Sequence, residues 1–238
     1  MNETDAGGTR ATRIAVAFAR EAAKSPAGRM CRVCRDVLQV SGAGLTLMVG
    51  QRTGPLCATS PDVGTLEEIQ FTSGEGPCRD AFTSNRSVHA PRLDDAAFAR
   101  WPSFVEVARR AGVAGVFAYP LTGTGSSVGV MTLYQHAPGD LTSTQHEDCV
   151  AVAEVITATV LSLQSDARPG ELGQGLDGGE LYRAEIHQAA GMLAVKLDVP
   201  VAEAMVRLRA HALSIDVPIS ELCADIVARR VQLEDDWR

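Results

Sequence analysis

Between residues 183 and 230 three short apolar-periodic segments follow one another at the spacing of successive helix hairpins. In the first, Ile186, Ala190, Leu193 and Leu197 recur at i, i+4, i+7 and i+11, one stripe of a 3.6-residue helix. Val201, Ala204, Met205, Leu208, Ala212 and Ile215 repeat the pattern, and Ile219, Leu222, Cys223, Ile226 and Val227 repeat it again. An isolated helix below roughly 12–15 residues is marginal in water, so segments this short are stable only when packed against each other. A small all-α three-helix bundle over 180–233 is the prediction. Asp198-Val199-Pro200 and Asp216-Val217-Pro218 each put proline where a helix can begin but not continue, and Glu203 places negative charge in a first turn. Gly191, inside the first helix, costs about 1 kcal/mol against alanine and calls for a reason. Either another helix crosses closely there or a nucleic acid approaches.

The run Arg183, Ile186, Gln188-Ala189-Ala190-Gly191, Glu203-Ala204, Leu208-Arg209, Ala212, Leu222 and Ala224 resembles an ANTAR domain. The resemblance implies a bacterial transcription antitermination regulator that binds nascent RNA, holding paired stem-loops that would otherwise rearrange into a terminator. On this reading the residues that meet RNA are Arg183, Gln188, Gly191, Lys196, Arg209 and His211. The competing reading of these charges is a solvated helix face, and for Arg229-Arg230 simple complementarity to a helix dipole.

Charge limits how RNA could be held. The chain of 238 residues carries a net charge of −7, whereas a general nucleic-acid coat is basic and gains affinity by releasing counterions. Even from Glu180 onward acidic residues outnumber basic ones. RNA recognition is therefore expected to be local and directed at shape and unstacked loop bases. The first residues are polar and glycine-rich with no leader pattern, and the longest apolar stretch, 150–163, contains Glu154 and is too short to span a bilayer. These features predict a cytoplasmic protein without membrane contact, in which the six cysteines are free thiols.

Upstream, 10–23 and 29–40 read as helices, followed by strand-like segments at 43–51, 55–59 and 87–90. Two apolar runs, 113–122 and 127–135, flank Gly123-Thr124-Gly125-Ser126 and predict a hairpin. Thr142-Ser143-Thr144-Gln145 is a capping box opening a helix to Ser165, whose seam of Cys149, Val152, Ile156, Val160 and Leu163 is suited to pairing with another helix. From Asp166 to Gly179 glycines crowd together, which predicts a flexible linker between a sensor domain over 10–165 and the bundle. The order of elements is α+β with a mostly antiparallel sheet flanked by helices. Gln70, Gly74-Glu75-Gly76-Pro77-Cys78, Asp80-Ala81, Trp101-Pro102, Phe104, Tyr119-Pro120-Leu121, Gly129-Val130 and Leu133-Tyr134 together resemble a GAF domain. That family implies a sensing or dimerising module with an unidentified small-molecule or redox signal, and a homodimer.

Cys31 and Cys34 form a CxxC on a predicted helix without a second ligand pair, leaving structural thiols, redox function or a metal as readings in that order. Cys78 follows Gly76-Pro77 and precedes Arg79 at a helix start, a position that lowers a thiol pKa and favours a redox-active thiolate. The reading that it packs there as a small apolar group, as free cysteine often does, is placed ahead of the thiolate. No HExxH or Walker-type loop occurs, and neither lysine, Lys24 or Lys196, falls where the lysine-containing motif of cyclic-nucleotide GAF domains would lie. A non-enzymatic regulator without cofactor or metal is expected, controlling termination through structured RNA. Two alternatives stand beside it: a thiol-dependent GAF-fold reductase, in which Cys57 and Cys78 would converge on one pocket, and a signalling module whose helical segment contacts protein.

Overall fold

A computed structural model describes residues 12–20, 30–49, 52–123, 125–165, 180–215 and 217–231. The proposed linker 166–179 lies outside the described residues. Helix α1 (12–20) and α2 (Met30–Leu38) precede the hairpin β1 (Gly42–Val49) and β2 (Arg52–Ala58). Then come α3 (Pro61–Ser73), α4 (Pro77–Ser84), β3 (Val88–Ala90), α5 (Asp95–Arg100) and α6 (Pro102–Arg110). The hairpin β4 (Gly115–Thr122) and β5 (Ser127–Gln135) leads into α7 (Ser143–Ser165). The five strands form one sheet in the order β2-β1-β5-β4-β3, with every pair antiparallel.

Strand alternation explains why 113–122 and 127–135 are nearly continuous apolar runs: both faces of the sheet are covered. Phe117, Tyr119 and Leu121 of β4 with Met131 and Leu133 of β5 face α2 and α7, where Cys34, Leu38, Val152 and Ile156 complete a core. Val116 and Tyr134, one residue out of step, face α3, α5 and α6 and pack with Leu66, Ala97, Trp101 and Phe104. The α7 seam predicted to pair with another helix is therefore turned inward, onto β4 and α2 of the same chain. The side chain of Leu163 lies outside the described residues. The capping box forms as predicted: Gln145 N donates to Thr142 Oγ1 at 3.2 Å and Thr142 N donates to Gln145 Oε1 at 2.9 Å.

The remaining helices, α8 (Glu180–Leu197), α9 (Val201–Ser214) and α10 (Ile219–Val227), make the expected three-helix bundle. Ile186, Ala190, Leu193, Ala204, Leu208, Ala212, Leu222 and Ile226 share one core. Two stripe residues depart from it: Val201 and Ile215 are 51% and 45% exposed, because each sits at an end of α9 beyond the reach of its neighbours. The helix-crossing reading of Gly191 is also corrected, since a methyl group added there meets nothing within 4 Å. Pro200 and Pro218 stand at the N-caps of α9 and α10, as their missing N–H allows.

Candidate functional site

The face of the sheet under α3 and α4 holds a buried polar cluster that the sequence did not announce. Glu67, on α3, is 1% exposed. Its Oε2 accepts from Thr46 Oγ1 at 2.5 Å and its Oε1 from the Tyr134 hydroxyl at 2.6 Å. Gln70, one turn on, donates from Nε2 to the Tyr134 oxygen and to Leu66 O, both at 3.2 Å, and its Oε1 accepts from Cys78 N at 2.8 Å. Two glycines make room: a Cβ on Gly44 would run into the Glu67 carboxyl, and one on Gly76, whose φ is +125°, would lie 2.6 Å from Gln70 Cγ. Burial pushes the Glu67 carboxyl up from its usual range, while the hydrogen bonds from Thr46 and Tyr134 pull it part of the way back.

Cys78 belongs to this cluster, and its environment overturns the thiolate reading. Although it lies at the start of α4 beside Arg79, it is 1% exposed, and burial followed by the proximity of Glu67 pushes its thiol well up rather than down. The residues around it act as a structural latch. Gly74 closes α3 in the left-handed conformation, and Glu75 Oε1 accepts from Ser103 N at 2.6 Å at the start of α6. Asp80 accepts from Trp101 Nε1 at 3.0 Å and pairs with Arg100 at 2.6 Å. The motif residues that mark the N-terminal domain thus tie α3, α4 and α6 together.

The other thiols are arranged differently from expectation. Cys31 of α2 and Cys57 of β2 form a disulfide across a Cα–Cα distance of 6.0 Å, because α2 packs over the β1–β2 hairpin. Cys57 is thereby committed to Cys31, and it does not converge with Cys78. Cys34, Cys78, Cys149 and Cys223 are free and buried. Burial pushes Cys149 and Cys223 up to about 12. A second titratable group lies on the opposite face, where the Tyr119 hydroxyl is 3.1 Å from His146 Nδ1 and the His89 ring centroid is 5.2 Å from that of His146. Partial burial, then His146, lowers the His89 pKa. Among the described residues no group of three His, Cys, Asp or Glu could hold a metal ion, and no helix is long and apolar enough to cross a membrane.

On the bundle the proposed RNA residues are split. Gln188 and Lys196 of α8 are exposed and Gly191 is half-exposed. The side chain of Arg183 lies outside the described residues. Arg209 and His211, on α9, are half-buried. Arg209 is turned toward α3, its guanidinium carbon 4.3 Å from the centroid of the Phe71 ring. Three residues along α3 from Phe71, Glu68 Oε1 accepts from both Ser220 N and Ser220 Oγ at 2.8 Å, at the start of α10. Beside these contacts a cavity of about 260 Å³ separates α3 and α6 from the α9–α10 turn, lined in part by Ile69, Thr72, Val107, Leu213 and Pro218. Sequence reading missed Glu67, Glu68 and Phe71 because the segment Leu66-Glu67-Glu68-Ile69-Gln70-Phe71 has neither a clean helical nor a clean strand alternation. A helix buried on two sides carries no single polar face to recognise.

No curated protein matches the chain. Among solved structures it is similar to the GAF domain of an Acinetobacter phosphoenolpyruvate-protein phosphotransferase, with 10% identity over 71% of this chain and 99% of that one and a TM-score of 0.52. It is similar also to a free methionine-R-sulfoxide reductase from Neisseria meningitidis in complex with its substrate, with 11% identity over 66% of this chain and 92% of that one and a TM-score of 0.50. At such identities the likeness is one of fold. The family model for the GAF domain matches residues 27–161, more than half of the chain, and spans the five-stranded sheet with its flanking helices. The chain belongs to the GAF domain family.

Proposed function

We propose that this protein is a signal-responsive, cytoplasmic homodimer whose C-terminal bundle binds structured nascent RNA and controls transcription termination. The observation that carries the reading is the surface of α8. The stripe residues Ile186, Ala190 and Leu193 are buried as a bundle requires, and this leaves Gln188 and Lys196 exposed with Gly191 open between them. A glycine that costs helix stability, and at which an added Cβ would meet open space, is suited to close approach by an RNA backbone or base. The GAF domain, a signalling and sensing fold, would supply the input. A reductase has less support, because Cys57 is bonded to Cys31 and the thiol of Cys78 is buried.

The test is capture of RNA crosslinked to the full chain in cells, followed by titration of the recovered stem-loops with light scattering of the complex. If three to five basic groups per bundle meet phosphate in the complex, the log–log salt slope should be about −2 to −4 per bundle, from roughly −0.7 per contact on single strands. Changing loop bases should weaken binding, and the mass should be that of a dimer. Absence of any structured RNA above background would remove the reading and favour a bundle that contacts protein.

A further inference from the structure

The most informative feature outside the buried cluster is the contact between α3 and the bundle. Polar and cation–aromatic contacts are among those that join the two halves of the chain there. Phe71 is 3% exposed yet belongs to none of the three apolar clusters of the N-terminal domain; its ring lies under the Arg209 guanidinium. Glu68 places a carboxylate at the first turn of α10, where unpaired amides and the helix dipole favour an anion. The face of an arginine guanidinium is a stacking surface for an unpaired base, and an aromatic ring fills it in the same way.

We infer that α3 is an internal competitor for RNA: Phe71 and Glu68 occupy, on Arg209 and the start of α10, the places that a base and a phosphate would take, and the docked arrangement is the RNA-silent one. This rests on the RNA reading given above and names how that same surface is regulated. Three features make the contact a switch rather than a fixed seam. It includes a cation–aromatic stack and a glutamate–serine pair that side-chain motion can break, a cavity of about 260 Å³ lies beside them, and the bundle has a separate apolar core of its own. A signal that moves α3, whose neighbouring residues Glu67 and Gln70 are bound into the cluster under the sheet, acts directly on the competitor. Release of the dock takes Phe71 off Arg209 and Glu68 off the start of α10.

The experiment uses the full chain and a pool of RNA hairpins with randomised loops. Glu68→Gln removes the charge and keeps the shape, and Phe71→Leu keeps apolar volume and removes the aromatic face. Amide hydrogen exchange over α3 and the first turn of α10 reads the dock, and hairpin capture reads the RNA surface. The double variant should exchange faster at both places and capture hairpins about tenfold more tightly, the gain expected when a competent state of roughly one-tenth population becomes dominant. If Phe71→Leu disturbs the fold by circular dichroism, Glu68→Gln alone carries the comparison, with the same direction. Unchanged exchange, or faster exchange with parent-like capture by a parent that binds hairpins, overturns the competition. Faster exchange with no capture by any form, parent included, overturns the RNA reading itself and the competition with it.

Discussion

Tyr134→Phe removes one oxygen from the cluster under the sheet and separates its energetic terms cleanly. The hydroxyl donates to Glu67 at 2.6 Å and accepts from Gln70 at 3.2 Å, and the residue is 1% exposed, so water cannot replace it. A hydrogen bond to a charged group contributes about 1.5–3 kcal/mol and a neutral one about 0.5–1.5 kcal/mol. Gln70 keeps its second acceptor, Leu66 O, so its share falls at the low end. The expected loss is about 2–4 kcal/mol at pH values where Glu67 is ionised, or a fall in Tm of roughly 4–16 °C for a domain of this size. The pH dependence identifies the carboxyl. Burial holds the folded pKa of Glu67 above its unfolded value, so the stability it contributes is fully present below the unfolded pKa, near 4.5, and is lost as pH rises through the folded pKa. Without the tyrosine donor the ionised form is disfavoured further. The gap between parent and variant should therefore be narrow at pH 4 and widen with rising pH. Urea unfolding at pH 4 to 8 measures it, and a gap that is constant or narrows as pH rises would refute the account of Glu67.

Two further outcomes follow from the same region and from the thiols. Gly76→Ala forces a side chain into a backbone at φ +125° and displaces Gln70 from Cys78 N, which should destabilise by about 2–5 kcal/mol, seen as an equal shift in urea unfolding free energy; a loss under about 1 kcal/mol would show that the latch around Gln70 gives way freely. With iodoacetamide at neutral pH, Cys34, Cys78, Cys149 and Cys223 should resist labelling in the native protein, and after mild reduction half-buried Cys57 should label ahead of buried Cys31. Rapid native labelling of Cys78, read by peptide mass, would restore the thiolate that its helix-start position suggested.

How far the sequence carried depended on whether an element had one buried side or two. The bundle was legible almost residue by residue, because each helix buries one stripe, as Ile186, Ala190 and Leu193, then Ala204, Leu208 and Ala212, then Leu222 and Ile226 do at the helical period. The β4–β5 hairpin and the capping box at Thr142 were legible for similarly local reasons. Glu67 was not, since a carboxylate inside a helix buried on both sides resembles a surface residue until its partners on β1 and β5, Thr46 and Tyr134, are placed beside it. The Cys31–Cys57 bond depended on α2 lying over β2, and the inward turn of the α7 seam on its packing against β4. For Cys78 charge and helix position suggested a thiolate and free-cysteine packing a buried thiol, and its burial bears out the packing reading.

The place of β1 in the sheet has a consequence for synthesis. It lies between β2, its immediate neighbour in the chain, and β5, whose residues pair with it from Gly42↔Tyr134 to Leu47↔Gly129. A growing chain therefore makes the first hairpin early and leaves the other edge of β1 without a partner until residue 135 has emerged. At about 5–20 residues per second the wait is roughly 4–15 s. Throughout that interval an apolar strand edge, Leu45 and Leu47 included, is open to any other extended chain nearby. Shielding of that edge on the ribosome is thus a condition for the protein to be made faithfully.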